Sequence, residues 1–257
     1  MTELVLRSTP SDGVVLLQLN RPEARNALNR DLRMALKAEI DALAQDPSVR
    51  VVVITGDDKA LAAGADLKAV ATASAAEMAA NDLHHVWLSL TRLEKPLVVA
   101  VRGYAMGGGC ELAMHGDVVV VGENASLALP EIRVGIMPGA GGVVRLIRLI
   151  GRSRAMRLLL TAEAISGRTA FEWGLASDVV PDEEVLDKAL AYARTIAAMP
   201  AGSAAKIKQV SLDVADLPLP DGLAMEREAC WSLFGSADQR EGMAAFIEKR
   251  KPEFNKS

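Results

Sequence analysis

Apolar positions recur along this chain with two different periods, and the change of period marks the elements. Two β-rich runs, Glu3–Arg7 and Val14–Leu19, flank Ser11-Asp12-Gly13, residues suited to a hairpin turn. Leu32, Leu36, Ile40 and Leu43 then step by four, four and three, which predicts a helix over Asn29–Gln45. Val49–Thr55, Leu97–Val101 and Asp117–Val121 are continuous apolar runs, the pattern of strands buried on both faces. Each runs into a glycine: Gly56, Gly103 and Gly122. Helical segments are predicted between them, over Ser74–Leu93 and from about Gly107 to Gly116. Strands alternating with helices imply an α/β protein with a parallel sheet. From about Gly139 the pattern is mostly helical, over 140–150, 152–162, 182–199, 203–216, 221–234 and 237–250. Strand signal there is limited to Asp178–Val180. Pro200 and Pro218–Pro220 punctuate a helical appendage that closes the chain.

Composition narrows the class. With 257 residues, 50% hydrophobic and 24% charged, the chain buries a core without disulfide or metal staples. Aromatic residues are only 4%, so Ala, Val, Leu, Ile and Met must do the packing. A net charge of −4 argues against nucleic-acid binding driven by a global basic field. No apolar stretch approaches the roughly 18 residues of a membrane span. Met1–Pro10 carries Glu3 and no apolar secretory core, so a cytoplasmic location is expected. Cys110 and Cys230, far apart, are read as reduced thiols.

Two glycine-rich segments stand out: Gly103-Tyr-Ala-Met-Gly107-Gly108-Gly109-Cys110-Glu111 and Pro138-Gly139-Ala-Gly141-Gly142. Neither is a nucleotide fingerprint, because the Lys-Ser/Thr of a phosphate loop and the third glycine of a dinucleotide loop are missing. Glycines ahead of a helix leave backbone N–H groups open to a ligand, and those first N–H groups lack internal partners. They suit a developing oxyanion; they equally suit close helix–strand packing. Glu111 enters an otherwise apolar helix, and Glu131 sits between apolar neighbours in Leu129-Pro130-Glu131-Ile132. Taken singly, each carboxylate can serve as a helix cap. Beside oxyanion donors the two would form an acid/base pair, since like charges force their pKa values apart. His84 and His85 are adjacent and His115 is alone, so no zinc spacing is present. No Gly-x-Ser-x-Gly elbow supports a Ser–His–Asp mechanism.

Four ordered motifs resemble the enoyl-CoA hydratase/isomerase (crotonase) family over nearly the whole chain. They are Asn20-Arg-Pro-Glu-Ala-Arg-Asn-Ala-Leu28, Ala62-Ala-Gly-Ala-Asp-Leu-Lys68, Gly103–Glu111, and Leu129-Pro-Glu131 with Gly135-Ile-Met-Pro-Gly139-Ala-Gly-Gly142. The resemblance implies an α/β fold, a crotonase-like spiral of ββα units over residues 1–200. A helical C-terminal trimerisation region over 201–257 would build a homotrimer or a hexamer made as a dimer of trimers. It implies an oxyanion hole from the N–H groups of Ala65 and Gly108, catalytic carboxylates Glu111 and Glu131, and a water-holding N–H at Gly139. Arg25, Ala63, Asp66, Lys68 and Lys249 are carried over as substrate contacts, Lys249 from the helical tail of the same or a neighbouring subunit. The substrate is an acyl-CoA thioester. Coenzyme A is part of that substrate, no metal or redox cofactor is required, and no nucleic acid or membrane partner is implied. Retention of both glutamates favours a hydratase of 2-enoyl-CoA over a Δ3,Δ2-enoyl-CoA isomerase. A non-catalytic acyl-CoA- or RNA-binding relative is the alternative of another class. Leu61 replaces a Phe common in the family, and the His84/His85/Trp87 segment is a candidate lining of the acyl pocket.

Overall fold

The structure, a computed structural model, describes residues 3–80 and 84–255. The chain opens with the hairpin β1 (Val5–Ser11) and β2 (Val14–Leu19), followed by helix α1 (Arg30–Gln45). Asn29 caps α1 by accepting a 2.9 Å hydrogen bond from the Leu32 N–H, and Leu32, Leu36, Ile40 and Leu43 are its buried face. A long strand, a short strand and helical structure then repeat. The first pass is β3 (Val51–Thr55), β4 (Ala60–Ala62), α2 (Leu67–Val70), α3 (Ala75–Ala80) and α4 (His85–Arg92). The second is β5 (Leu97–Val101), β6 (Tyr104–Met106) and α5 (Gly108–Ala113). The third is β7 (Val118–Gly122) and β8 (Ser126–Ala128), leading through a 3-10 turn at Glu131–Val134 to α6 (Gly142–Ile150) and α7 (Arg152–Thr161). After β9 (Ile165–Ser166), α8 (Gly167–Trp173) and β10 (Asp178–Val180), the rest is helical: α9 (Val185–Ala197), α10 (Ala201–Asp213), α11 (Leu219–Ser232) and α12 (Ala237–Glu248).

The long strands form a six-stranded sheet in the order β1-β2-β3-β5-β7-β10, parallel except for β1. Side chains alternate across it, so each apolar strand feeds two cores. Val51, Val53, Val98, Ala100 and Val120 face Val185, Ala189, Ala193 and Ala197 of α9, whose small residues at steps of four let the helix lie close. Val52, Ile54, Leu97, Val99 and Val121 face the larger core, which holds α1 and α4. This double burial is why the strands read as unbroken apolar runs.

The short strands form a second sheet in the order β4-β6-β8-β9, parallel except for the β8–β9 pair. Elements of two or three residues carry no readable period, and sequence analysis missed all four. It also missed the seven-residue α8. The first strand lies later than predicted, at Val5–Ser11. It runs through Pro10 because β1 is an edge strand, where a missing N–H breaks no ladder bond. The helix predicted over Ser74–Leu93 is present as α3 and α4, and its residues 81–83 lie outside those described.

The C-terminal helices differ in how they are held. Lys208 of α10 is buried, pairing with Asp117 at 2.8 Å and donating to the Lys95 carbonyl at 3.0 Å. Helix α11 buries no residue, and Leu219, Trp231, Phe246 and Ile247 are each more than half exposed. Among the described residues no helix is long and apolar enough to cross a membrane.

Candidate active site

The second pass of the spiral, with the loops that flank it, gathers the chemistry-bearing residues. Helix α5 follows directly on β6, and the turn between them is Gly107, at φ 51° and ψ −120°. Residues with a Cβ avoid that conformation. A Cβ on Gly107 would also stand 2.8 Å from Glu131 Oε1. Two residues on, a Cβ on Gly109 would lie 2.1 Å from the Ala62 carbonyl oxygen, so α5 rests directly on the backbone of β4. The glycine run therefore serves close packing and an open approach at once.

The N–H of Gly108 opens α5 and has no acceptor within the helix. Ala65 lies opposite Leu28 in a parallel bridge in which the Leu28 N–H donates to the Gly64 carbonyl at 2.7 Å. In such a pair Leu28 bonds the neighbours of Ala65, and the N–H of Ala65 itself turns to the other side. That side is α5: a Cβ on Gly108 would stand 4.0 Å from Ala65 N and 3.8 Å from Trp87 Cζ2.

Glu111 is buried, on the first turn of α5. Its Oε1 accepts hydrogen bonds from the N–H groups of Ala140 at 2.7 Å and Gly142 at 2.9 Å. Burial raises its carboxyl above the ordinary value, opposed by those two N–H groups and by the charge of Arg33. Glu131 opens the 3-10 turn after β8 and is half-buried. Its Oε2 is buried and accepts no hydrogen bond from the described residues. Burial raises this carboxyl too; its own backbone N–H opposes the shift, and the charge of Glu111 adds to it. The two carboxylates thus sense one another, but the Glu111 anion has two N–H donors from another segment whereas that of Glu131 has its own backbone N–H. Burial, then the charges of Glu111 and Glu131, push the Cys110 thiol up, so it stays protonated.

Two cavities meet this centre. One of about 240 Å³ is lined by Ala63, Gly64, Ala65, Leu67, Gly107 and Glu131, among others. The other, about 310 Å³, is bounded by Trp87, His115, Ala140 and Arg145 and lies next to the N–H groups that hold Glu111. His115 stacks on Trp87 at 5.5 Å, and its Nδ1 lies 2.8 Å from the Glu111 carbonyl oxygen. Burial, then the charge of Arg145, pulls its pKa down to about 4, leaving a neutral ring whose Nδ1–H donates.

Of the remaining residues singled out from sequence, Ala63 lines the smaller cavity and Gly139 the larger, and the others are dispersed. The Ala63 N–H donates to the Arg25 carbonyl at 2.9 Å, and the Arg25 guanidinium lies 5.4 Å over the Tyr104 ring. The Asp66 carboxylate is taken by Arg21 at 3.0 Å, facing the N-terminal motif. Lys68 is exposed on α2 beside these loops. Lys249 is exposed in a left-handed conformation at the end of α12. Gly139 is exposed, and the N–H groups that reach Glu111 belong to Ala140 and Gly142. Leu61 is fully buried in the core, and it is Trp87 and His84 that line the larger cavity. From sequence, His115 is weighed only as a metal ligand and Asn26 stands only within a motif, while Arg145 is passed over. Asn26 is fully buried at φ 55°, bonding the Ala60 carbonyl and the Arg21 N–H, and it ties the N-terminal motif to β4. A polar residue inside an apolar run, as in Met114-His115-Gly116, was the only available signal.

A spiral of ββα units with one buried and one half-buried carboxylate beside a glycine turn defines a class. A family model described as enoyl-CoA hydratase/isomerase matches residues 9–257, and the chain belongs to that family. It is 44% identical over 254 residues, 99% of each chain, to 2,3-dehydroadipyl-CoA hydratase of Escherichia coli strain K12. Identity to the mitochondrial enoyl-CoA hydratase of Pongo abelii is 42%, covering 95% of this chain and 84% of that one. The crystal structure of an enoyl-CoA hydratase from Bacillus anthracis superposes with a TM-score of 0.94 at 34% identity, covering 98% of both chains. The fold is accordingly the crotonase fold.

Proposed function

We propose that this protein is a 2-enoyl-CoA hydratase, adding water across the 2,3 double bond of an enoyl-CoA thioester to give a 3-hydroxyacyl-CoA. The observation that carries this is the convergence of the Ala65 N–H, the first N–H of α5 and the carboxylates of Glu111 and Glu131 around Gly107–Gly108. The thioester oxygen sits between the two N–H groups, which stabilise it as it becomes enolate-like; one such donor is worth about 3–4 kcal/mol in enzymes where it has been removed. Water held by Glu111 attacks C3 and gives Glu111 its proton. Glu131, whose anion has less support, delivers a proton to C2. The protonation states of the pair are then exchanged, and they are restored by one net proton transfer from Glu111 to Glu131. Coenzyme A enters as part of the substrate, with Arg25, Ala63, Lys68 and Lys249 as its contacts; Asp66 orders the loop through Arg21. The apolar surface of α11 and α12 is the face on which copies of the chain associate as a trimer or a dimer of trimers.

The test is crotonyl-CoA. The conjugated absorbance is expected to fall on addition of protein while the product gains the mass of one water. Glu111→Gln and Glu131→Gln should each reduce the rate by about 10²–10⁴, the span of general acid–base catalysis. Conversion of a 3-enoyl-CoA to its 2-enoyl isomer without water addition would instead make the protein an isomerase. Light scattering after gel filtration reads the assembly.

A further inference from the structure

Arg145 is the only formally charged side chain among the described residues lining the larger cavity. Its Nη2 donates to Thr91 Oγ1 at 3.1 Å, and no carboxylate of the described residues lies within ion-pair distance. The nearby Asp117 is committed to Lys208 at 2.8 Å and to the Leu97 N–H at 2.7 Å. Two cations, Arg145 and Lys208, therefore share one carboxylate, and a net positive charge is left over at the cavity. The aromatic wall of Trp87 and neutral His115 does nothing to offset it. An uncompensated guanidinium at the edge of a core is costly unless a ligand supplies the counter-charge.

Position ties the guanidinium to the catalytic centre. The Ala140 N–H bonds Glu111, and a Cβ on the next residue, Gly141, would stand 3.1 Å from Arg145 Nε. The guanidinium thus overlies the residue adjoining the catalytic carboxylate's own donor. Building on the hydratase reading, we propose that Arg145 is a specificity-determining residue. It receives a carboxylate at the far end of the acyl chain, so that the substrate class is the ω-carboxy 2-enoyl-CoA thioesters. A carboxylate accepts the planar guanidinium fork in two parallel hydrogen bonds, which an alkyl or hydroxyl terminus cannot do.

Equilibrium binding of three saturated CoA thioesters of equal length tests this without chemistry: hexanoyl-CoA, 6-hydroxyhexanoyl-CoA and adipoyl-CoA. The wild-type protein should bind adipoyl-CoA at least tenfold more tightly than either of the others. Arg145→Gln should erase that ratio and Arg145→Lys restore part of it. Equal affinities in the wild type, or a preference for the hydroxyl terminus, overturn the proposal. That comparison needs no variant, so a misfolded Arg145→Gln does not shield it. Selective binding with no hydration of the corresponding unsaturated thioester would sink the hydratase reading alone, whereas unselective binding with normal hydration of crotonyl-CoA would sink only the carboxylate subsite.

Discussion

Replacing Gly109 with alanine probes the contact that positions the proposed oxyanion hole. In α5 the residue is helical, so its backbone conformation tolerates a side chain; only space forbids one. The added Cβ would meet the Ala62 carbonyl oxygen at 2.1 Å, its carbonyl carbon at 2.9 Å and its Cβ at 3.1 Å. All three belong to β4, so no rotamer relieves the clash. Ordinary contact distances require α5 and β4 to part by about 1 Å. Overpacking of this kind costs about 1–3 kcal/mol of stability. Its effect on catalysis should be larger than its effect on folding. Gly108 and Glu111 travel with α5, while Ala65 follows β4, so the same displacement opens the gap between the two N–H donors. A misplacement of about 1 Å is worth roughly 10² in rate, or about 2.7 kcal/mol of barrier. Urea unfolding and crotonyl-CoA hydration, measured on the same preparation, separate the two effects. A Gly109→Ala protein with stability within about 0.5 kcal/mol and activity within threefold of wild type would refute the claim that this contact sets the geometry.

Three further outcomes are expected. Gly202→Ala, a helical position where a Cβ meets nothing within 4 Å, should stabilise the protein by about 0.5–1 kcal/mol in urea unfolding, the opposite sign to Gly109→Ala. Lys208→Met strips a buried partner from Asp117, which is itself 28% exposed and keeps its bond from the Leu97 N–H; a loss of about 1–3 kcal/mol is expected, and no loss would mean α10 is held by its apolar contacts alone. Glu131 has a carboxyl raised above its unfolded value, so the folded state holds its proton more tightly. Its destabilising effect is therefore absent below the unfolded carboxylate range and grows as pH rises through the raised native value. Glu131→Gln should melt at a higher temperature than wild type at neutral pH, with the advantage shrinking toward about pH 4; an advantage that widens on acidification contradicts the assignment.

Much of this protein is legible one residue at a time. Double burial writes itself into Val51–Thr55, Leu97–Val101 and Val118–Val121 as unbroken apolar runs, and the four-residue steps of Leu32, Leu36 and Ile40 give α1 away. The motifs around Ala65, Gly108, Glu111 and Glu131 mark the candidate site because backbone approach demands glycine and charge in an apolar run demands a reason. What the sequence leaves undetermined depends on contacts between distant segments. The strands of the second sheet are too short for any period, and they exist only because neighbouring passes of the spiral lay β4, β6 and β8 side by side. The donors to Glu111 are backbone N–H groups, identical at every non-proline residue, so only tertiary structure selects Ala140 and Gly142 over Gly139. The same holds for charge. Arg145 looks like one more solvated arginine of an amphipathic helix until folding gives Asp117 to Lys208 and leaves the guanidinium facing a cavity, because the partner of a charge is fixed by distance in space and not by separation along the chain.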